Sequence, residues 1–345
     1  AIAAQRKRLA RPGAPDATAA PPPARMRSRS TPTWWREPIF CGWGAQCADA
    51  ARAGRPMSEA RGLATQANYD RWLGVLEASG VVPGTIVLDD KWQARYGTNE
   101  PDLSKWPDLA GWIRARHEQG QRLLLWYKAW DPEGLPPEAC VRTTAGTPIG
   151  LDPTHPAGEA AIRSSVRQML GPAGLDADGL KIDLTARTPT GRATVHHGSA
   201  WGVALLVRLF AILADEARAA KPDALLVGQT PNVVVAPTVG MIRLNDALRL
   251  DDPRPDVDIV PQMRHRAAIA AAACPDHLID TDDWCMPDRA TWRAYAAMKT
   301  ELGVPALYYA THIDRDGAPL EASDYRLIRD TWSAYRERNG LPARP

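Results

Sequence analysis

From Pro38 onward, short apolar runs alternate with stretches whose apolar residues recur at helical spacing. Eight runs have the length and flanks of buried strands: 39–43, 85–89, 122–126, 179–183, 225–229, 247–251, 277–281 and 306–310. Between them the pattern predicts helices over 68–79, 109–119, 156–170, 200–220, 264–273 and 289–302, with a last one over 324–338. The first carries Trp72, Leu73, Val75 and Leu76 on its apolar side, and the second follows Pro107, a helix-start signal. Eight strand-then-helix units predict an α/β fold, a (β/α)8 TIM barrel. The rival, a doubly wound open sheet, usually carries a glycine-rich phosphate turn after its first strand. Here that strand runs into Gly42-Trp43-Gly44, with no GxGxxG.

A barrel gathers the C-terminal ends of its strands at one mouth, so the residues that end each strand matter most. They are Trp43; Asp89 and Asp90, followed by Lys91 and Trp92; Trp126 and Lys128; Asp183; Gln229; Arg249, Asp251 and Asp252; Asp280, Asp282 and Asp283; and Tyr309. In Lys181-Ile182-Asp183 the cation and the acid sit two apart, on one face of a strand. A neighbouring cation keeps a carboxylate ionised, and an ionised, positioned carboxylate is what a covalent glycosidase nucleophile requires. A mouth of acids and indoles suits a sugar. Carboxylates such as Asp89 and Asp90 take hydroxyls, Trp43 and Trp126 offer flat apolar faces, and Lys128 is a long-stemmed donor. Asp-rich strand ends also suit Mg²⁺. The second carboxylate of a glycosidase pair has two sources in the sequence, Asp251 and Asp252 after the sixth strand or Asp280, Asp282 and Asp283 around the seventh.

Composition narrows the partners. The 345 residues hold 42 Lys and Arg against 40 Asp and Glu, which gives no global field for nucleic acid or an anionic membrane. Thirteen Trp stand against two Phe, an excess that suits sugar stacking as well as packing. Five scattered Cys with no CxxC, and a lone His196-His197 pair, predict no structural metal and no disulfide framework. No cofactor is expected. Residues 1–33, with seven Lys and Arg, one acid and Pro21-Pro22-Pro23, are expected to be a disordered or linker-like arm ahead of a catalytic barrel over 34–345. The sequence shows no apolar run of signal-peptide or membrane-span length, so a cytoplasmic location is the expectation. Nothing in the pattern specifies an oligomeric state.

Several of these strand ends resemble the retaining α-glycosidase barrels of glycoside hydrolase families 36 and 31. Ile86-Val87-Leu88-Asp89-Asp90-Lys91-Trp92-Gln93 resembles the strand 2 motif of family 36, with Lys91 where a Gly is usual. Lys105-Trp106-Pro107-Asp108-Leu109 resembles the family's Lys-Phe-Pro-Asp-Gly element, and His117-Glu118-Gln119-Gly120 followed by Leu125-Trp126 resembles the passage from helix into strand 3. Leu180-Lys181-Ile182-Asp183 is similar to the strand 4 motif that carries the nucleophile. Val239-Gly240 with Asp246-Ala247-Leu248-Arg249-Leu250 is similar to the segment whose Arg binds substrate and which leads to the acid/base. Thr281-Asp282-Asp283 with Cys285 resembles an acidic turn after strand 7, and Gly228-Gln229-Thr230 stands where family 36 has a Cys-containing strand end.

The resemblance implies double displacement on a terminal α-glycoside, α-galactoside-like, within a small oligosaccharide. It implies Asp183 as nucleophile and places the acid/base after strand 6, at Asp252 with Asp251 as the near alternative. Asp89, Asp90, Trp43, Trp126, Lys128, Lys181, Gln229 and Arg249 would then bind the sugar. An α-glucosidase-like or transglycosylating enzyme of family 31 type, and an inactive carbohydrate-binding barrel, are the other expectations.

Overall fold

The computed structural model describes residues 31–247 and 258–344. Eight parallel strands form its centre: β1 (Ile39–Cys41), β2 (Thr85–Leu88), β3 (Arg122–Lys128), β4 (Gly179–Asp183), β5 (Leu225–Gly228), β6 (Met241–Arg243), β7 (Leu278–Asp280) and β8 (Ala306–Leu307). They pair in the order β7-β6-β5-β4-β3-β2-β1-β8. The two ends of this ladder meet in a parallel bridge between Asp280 and Val304, which makes a nearly closed eight-stranded barrel. Strands covered on both faces are apolar throughout rather than alternating, and all four residues of β2 are buried. Gly179 opens β4 because a Cβ there would lie 2.0 Å from the Leu225 carbonyl oxygen.

The described helices are α1 (Trp43–Arg52), α2 (Gln66–Ala78), α3 (Leu109–Glu118), α4 (Pro156–Leu170), α5 (Val203–Ala220), α6 (Ile259–Ala273), α7 (Arg289–Met298) and α8 (Ala322–Arg338). Local chemistry sets their starts. The N-cap side chains of Thr65, Asp108 and Asp288 accept from the N–H groups of Asn68, Gly111 and Thr291. Pro156 occupies the first position of α4, and Glu321 and Asp324 form a reciprocal capping box on α8. None of these helices is long and apolar enough to cross a membrane.

Two features depart from the sequence expectation. The sixth strand is Met241–Arg243 rather than 247–251; Ala247 is irregular, and 248–251 lie outside the described residues. Pairing decides the register, because Met241 sits between Val227 of β5 and Leu278 of β7. Trp43 does not end β1 but begins α1, a helix the apolar pattern did not predict. The link from β5 to β6, where the apolar pattern predicts no helix, carries only a 3-10 turn, Ala236–Thr238. Trp35 lies against Gly240 there, where a Cβ would come within 2.2 Å of its ring.

Residues 1–30 of the basic arm also lie outside the described residues, and Thr33 already begins a 3-10 turn, Thr33–Arg36. Just after that turn, Glu37 accepts a buried hydrogen bond from Arg336 Nε of α8 at 3.1 Å, and Arg336 Nη2 reaches the Val82 carbonyl at 2.7 Å. The long excursions after β3 and β4 build a three-stranded antiparallel sheet from Cys140–Thr143, Pro148–Leu151 and Thr194–Val195, on the mouth side of the barrel.

Candidate active site

The mouth is assembled by abrupt turns. After β2, β3, β4, β6 and β7 the chain passes through a left-handed residue that is not glycine: Lys91, Trp130, Leu184, Asn245 and Asp282, with φ between 54° and 72°. Each such residue costs on the order of 1 kcal/mol or more, and persists where surrounding contacts over-determine it. At Leu184 the turn aims its own N–H back at the preceding carboxylate, Asp183 Oδ1, at 2.8 Å.

Asp183 ends β4 and is half-buried. Its Oδ2 accepts from Trp126 Nε1 at 3.1 Å and lies 3.3 Å from Nη1 of Arg243. Burial works against its charge, but Arg243 and Lys181, then the Leu184 N–H and Trp126, outweigh burial and hold the carboxyl below the usual carboxylate range. Lys181 acts from a distance. Its Nζ bonds to Asp89 Oδ2 at 2.6 Å and to Cys41 Sγ at 3.3 Å, and the Cys41 thiol donates to the same Asp89 oxygen at 3.0 Å.

Asp89 and Asp90 therefore do different jobs. Asp89 is buried, with Oδ2 taken by Lys181 and Cys41 and Oδ1 by the Asp90 N–H at 2.8 Å. Asp90 is half-open and accepts from the Tyr96 hydroxyl at 2.7 Å. Burial pushes its carboxyl up to about 6; the Tyr96 bond opposes the rise and the Asp89 charge adds to it. Tyr96 lies under two ammonium groups, Lys91 at 3.9 Å and Lys128 at 3.8 Å from its ring centre. Those groups also pair with Glu133 and Asp131. The edge of the Tyr96 ring meets Trp126 at 5.9 Å. Trp43 stands half-buried, edge-on to Trp284 at 5.7 Å. Gln229 accepts from the N–H and the hydroxyl of Thr185, two residues past Asp183.

The residue that organises the mouth is one the sequence reading did not single out. Arg243, the last residue of β6, is buried, and its guanidinium meets three carboxylates. Nε and Nη2 donate to Asp282 Oδ2 at 3.0 and 2.6 Å, Nη2 also to Asp246 Oδ1 at 3.1 Å, and Nη1 faces Asp183. Asp246 follows Arg243 by three residues and keeps 41% of its side chain open. Its turn is pinned by Arg266 Nη1, which donates to the carbonyls of Leu244, Asn245 and Asp246. Burial pushes the Asp246 carboxyl up to about 7; Arg243 opposes the rise, and the charges of Asp282 and Asp183 add to it.

The strand 7 acids are sealed. Asp280, Asp282 and Asp283 are at most 3% exposed, and Asp283 is bound by Lys299, Trp292 Nε1 and the Tyr308 N–H. The open carboxyl beside Arg243 is Asp246, which belongs to neither of the two acid sets that the sequence offered. Arg249, Asp251 and Asp252 themselves lie outside the described residues. The signal for Arg243 and Asp246 was present but doubled: Arg243-Leu244-Asn245-Asp246 and Arg249-Leu250-Asp251-Asp252 both spell Arg-Leu-x-Asp, six residues apart.

A half-buried and a more open carboxyl with diverging proton affinities, bridged by one guanidinium at the mouth of a parallel barrel, form an arrangement suited to paired acid and base chemistry. No family model and no curated protein matches the sequence. Solved structures match the fold. The barrel is built like those of solved glycoside hydrolases. The cycloalternan-degrading enzyme from Trueperella pyogenes superposes with a TM-score of 0.64 at 17% identity, over 91% of this chain and 50% of that one. The same enzyme in complex with a covalent intermediate gives 0.64 at 16% identity, over 92% and 48%. An α-galactosidase from Thermus thermophilus in complex with stachyose gives 0.60 at 17% identity, over 95% and 67%. This chain spans about half the length of the cycloalternan-degrading enzyme. What is shared at these identities is the fold.

Proposed function

We propose that this chain is a retaining glycosidase that cleaves terminal α-glycosides, α-galactosides first among them, by double displacement. The observation that carries the reading is the Arg243 bridge between Asp183, held ionised, and Asp246, pushed up to about 7. In the first step Asp183 attacks the anomeric carbon, the bond to the leaving oxygen breaks, and Asp246 supplies the proton that oxygen takes up. In the second, Asp246 takes a proton from water as the water attacks the anomeric carbon, and Asp183 leaves as a carboxylate. In retaining enzymes the two carboxyls stand about 5–5.5 Å apart, a separation that a shared guanidinium is well placed to maintain. Trp126 and Leu184 hold the Asp183 oxygens in place, while Asp90, Lys128 and the face of Trp43 would engage the sugar. Asp252, expected from the sequence as acid/base, is the competing assignment.

Activated fluoro-glycosides of galacto and gluco configuration test the reading directly. Intact mass should show one covalent adduct, which peptide mapping places on Asp183 and which Asp183→Asn abolishes. Absence of an adduct with every configuration, or an adduct elsewhere, would overturn it. Azide rescue on aryl glycosides separates the acid/base assignments: Asp246→Ala should be rescued and Asp252→Ala should not need it.

A second reading has a specific observation behind it. The cycloalternan-degrading enzyme is also solved with isomaltose and superposes slightly better than the α-galactosidase. That supports an α-glucosidase-like or transglycosylating activity at the same carboxyl pair, and the gluco-configured probe decides between the two.

A further inference from the structure

Of the indoles that follow the strand ends, one keeps its N–H free. Nε1 of Trp92, Trp126, Trp130 and Trp284 each donates to a protein oxygen. Trp43 is half-buried. Its Nε1 has no hydrogen-bond partner among the described residues, yet it is not one of the unpaired atoms sealed from solvent. It therefore joins a flat apolar body to an open donor, the combination that takes the ring face and a hydroxyl of a sugar.

The fold holds this ring from two sides. Trp43 opens α1 directly after β1, between two glycines whose backbone lies tight on its neighbours. A Cβ on Gly42 would fall 2.0 Å from the Tyr69 hydroxyl, and one on Gly44 would fall 2.7 Å from the Tyr308 carbonyl. Trp284, 6% exposed, meets the Trp43 ring edge-on at 5.7 Å. Trp284 is itself fixed at both ends. Its Nε1 donates to Asp314 Oδ2 at 2.9 Å, and its carbonyl accepts from the Ala247 N–H at 2.5 Å. Asp314 Oδ1 accepts from the Tyr309 hydroxyl at 2.7 Å, which accepts in turn from the Met286 N–H at 3.0 Å. Asp314 thus clamps the indole and, through Tyr309, the backbone two residues further on. Ala247 directly follows Asp246, so the wall formed by Trp43 and Trp284 adjoins the turn that carries the open carboxyl beside Arg243.

We propose that Trp43 anchors a leaving-group subsite, its N–H donating to an oxygen of the second sugar of the substrate, and that Asp314 is a positioning residue that holds it through Trp284. The inference rests on the reading of this mouth as a glycoside site with Asp246 as proton donor, and it names the part of the substrate that Trp43 holds. The oxygen that Asp246 protonates joins the terminal sugar to the group expelled. That group therefore departs on the Asp246 side, where Trp284 and Trp43 stand. Nε1 only donates, so its partner is an acceptor such as a hydroxyl oxygen. Asp246 and Asp314 both adjoin the wall, which favours an uncharged saccharide over an anion.

Titration calorimetry on the full Asp183→Asn chain tests the proposal. It compares the methyl α-glycosides of galactose and glucose with α-linked disaccharides of 1,3, 1,4 and 1,6 linkage that begin with the same sugar. In one series the second sugar should add roughly tenfold in affinity. Trp43→Phe keeps an aromatic face and removes the donor, so on that background most of the gain should vanish. Asp314→Ala should also shrink the gain. Asp314→Asn, whose carbonyl still accepts from Trp284, should restore it, a rescue that general destabilisation would not give. If Asp314→Ala does not fold, Trp43→Phe alone decides. A Trp43→Phe loss equal for methyl glycoside and disaccharide overturns the proposal, as does a gain that survives the substitution. So does a parent chain to which the second sugar adds nothing, or which binds neither ligand. Loss of the gain in Trp43→Phe, with no aryl glycoside turned over by the native chain, keeps the subsite and sinks the hydrolytic reading; turnover with an unchanged gain does the reverse.

Discussion

Replacing Lys181 by methionine isolates the charge that lies beneath Asp183, the proposed nucleophile. Methionine keeps the length of the stem and removes the ammonium. In the native protein the Lys181 and Asp89 side chains are 3% and 4% exposed and 2.6 Å apart. Losing one partner leaves the Asp89 carboxylate buried with only the Cys41 thiol and the Asp90 N–H, a change expected to cost about 3–5 kcal/mol. Removing both charges in Lys181→Met/Asp89→Leu should recover most of that loss, since an apolar pair of similar volume is often neutral or stabilising. Guanidinium unfolding followed by circular dichroism measures all three variants. Lys181 also helps to hold the Asp183 carboxyl low, so in Lys181→Met that carboxyl rises and the acidic limb of the kcat/KM profile moves to higher pH. A single variant that loses less than about 1 kcal/mol, or a double variant that loses the sum of both singles, would refute the account of a buried, mutually dependent pair.

Three further outcomes follow from the same geometry. In the proposed mechanism Asp246 acts as an acid only while protonated, so wild-type kcat should fall as pH rises through about 7; Asp246→Asn should lose that alkaline limb and keep activity mainly on aryl glycosides with good leaving groups. Trp126→Phe removes a donor from Asp183, so the carboxyl should rise and kcat/KM should fall by roughly tenfold, most at acidic pH. Tyr96→Phe removes the bond that opposes the upward shift of Asp90; the pH below which KM worsens should move up from about 6 with kcat at neutral pH unchanged, and a KM profile identical to wild type would exclude a binding role for ionised Asp90.

The barrel was legible because parallel strands covered on both faces are written as unbroken apolar runs, and β4 matches its expected limits, 179–183, at both ends. The sixth strand was not, for a reason specific to this chain. Two Arg-Leu-x-Asp stretches follow one another, and only lateral pairing with Val227 and Leu278 selects the first. Helix α1 escaped notice because it is built from small residues. Its contact is backbone-close, with a Cβ on Gly44 falling 2.7 Å from the Tyr308 carbonyl, so no stripe of large apolar side chains announces it. The Lys181–Asp183 pair was correctly placed on one strand, yet its electrostatics needed three dimensions: the ammonium bonds across the barrel to Asp89, and the guanidinium beside Asp183 comes from another strand. Sequence neighbours gave the position of the acid, and the fold supplied the charge closest to it.

The Glu37–Arg336 contact links residues 299 apart in sequence, which gives it a kinetic meaning. Closing a loop of that length directly from an unfolded chain costs roughly 5 kcal/mol in chain entropy, more than one buried ion pair returns. The clasp therefore forms only after successive neighbouring strands have paired and shortened the effective loop, which places it among the last events of folding. Its making marks completion of the ring, and its opening, which frees α8 from Val82 and from the edge of β1, is the natural first step of unfolding. The lifetime of the folded protein would then be set far from the barrel mouth, at the seam where the chain meets itself.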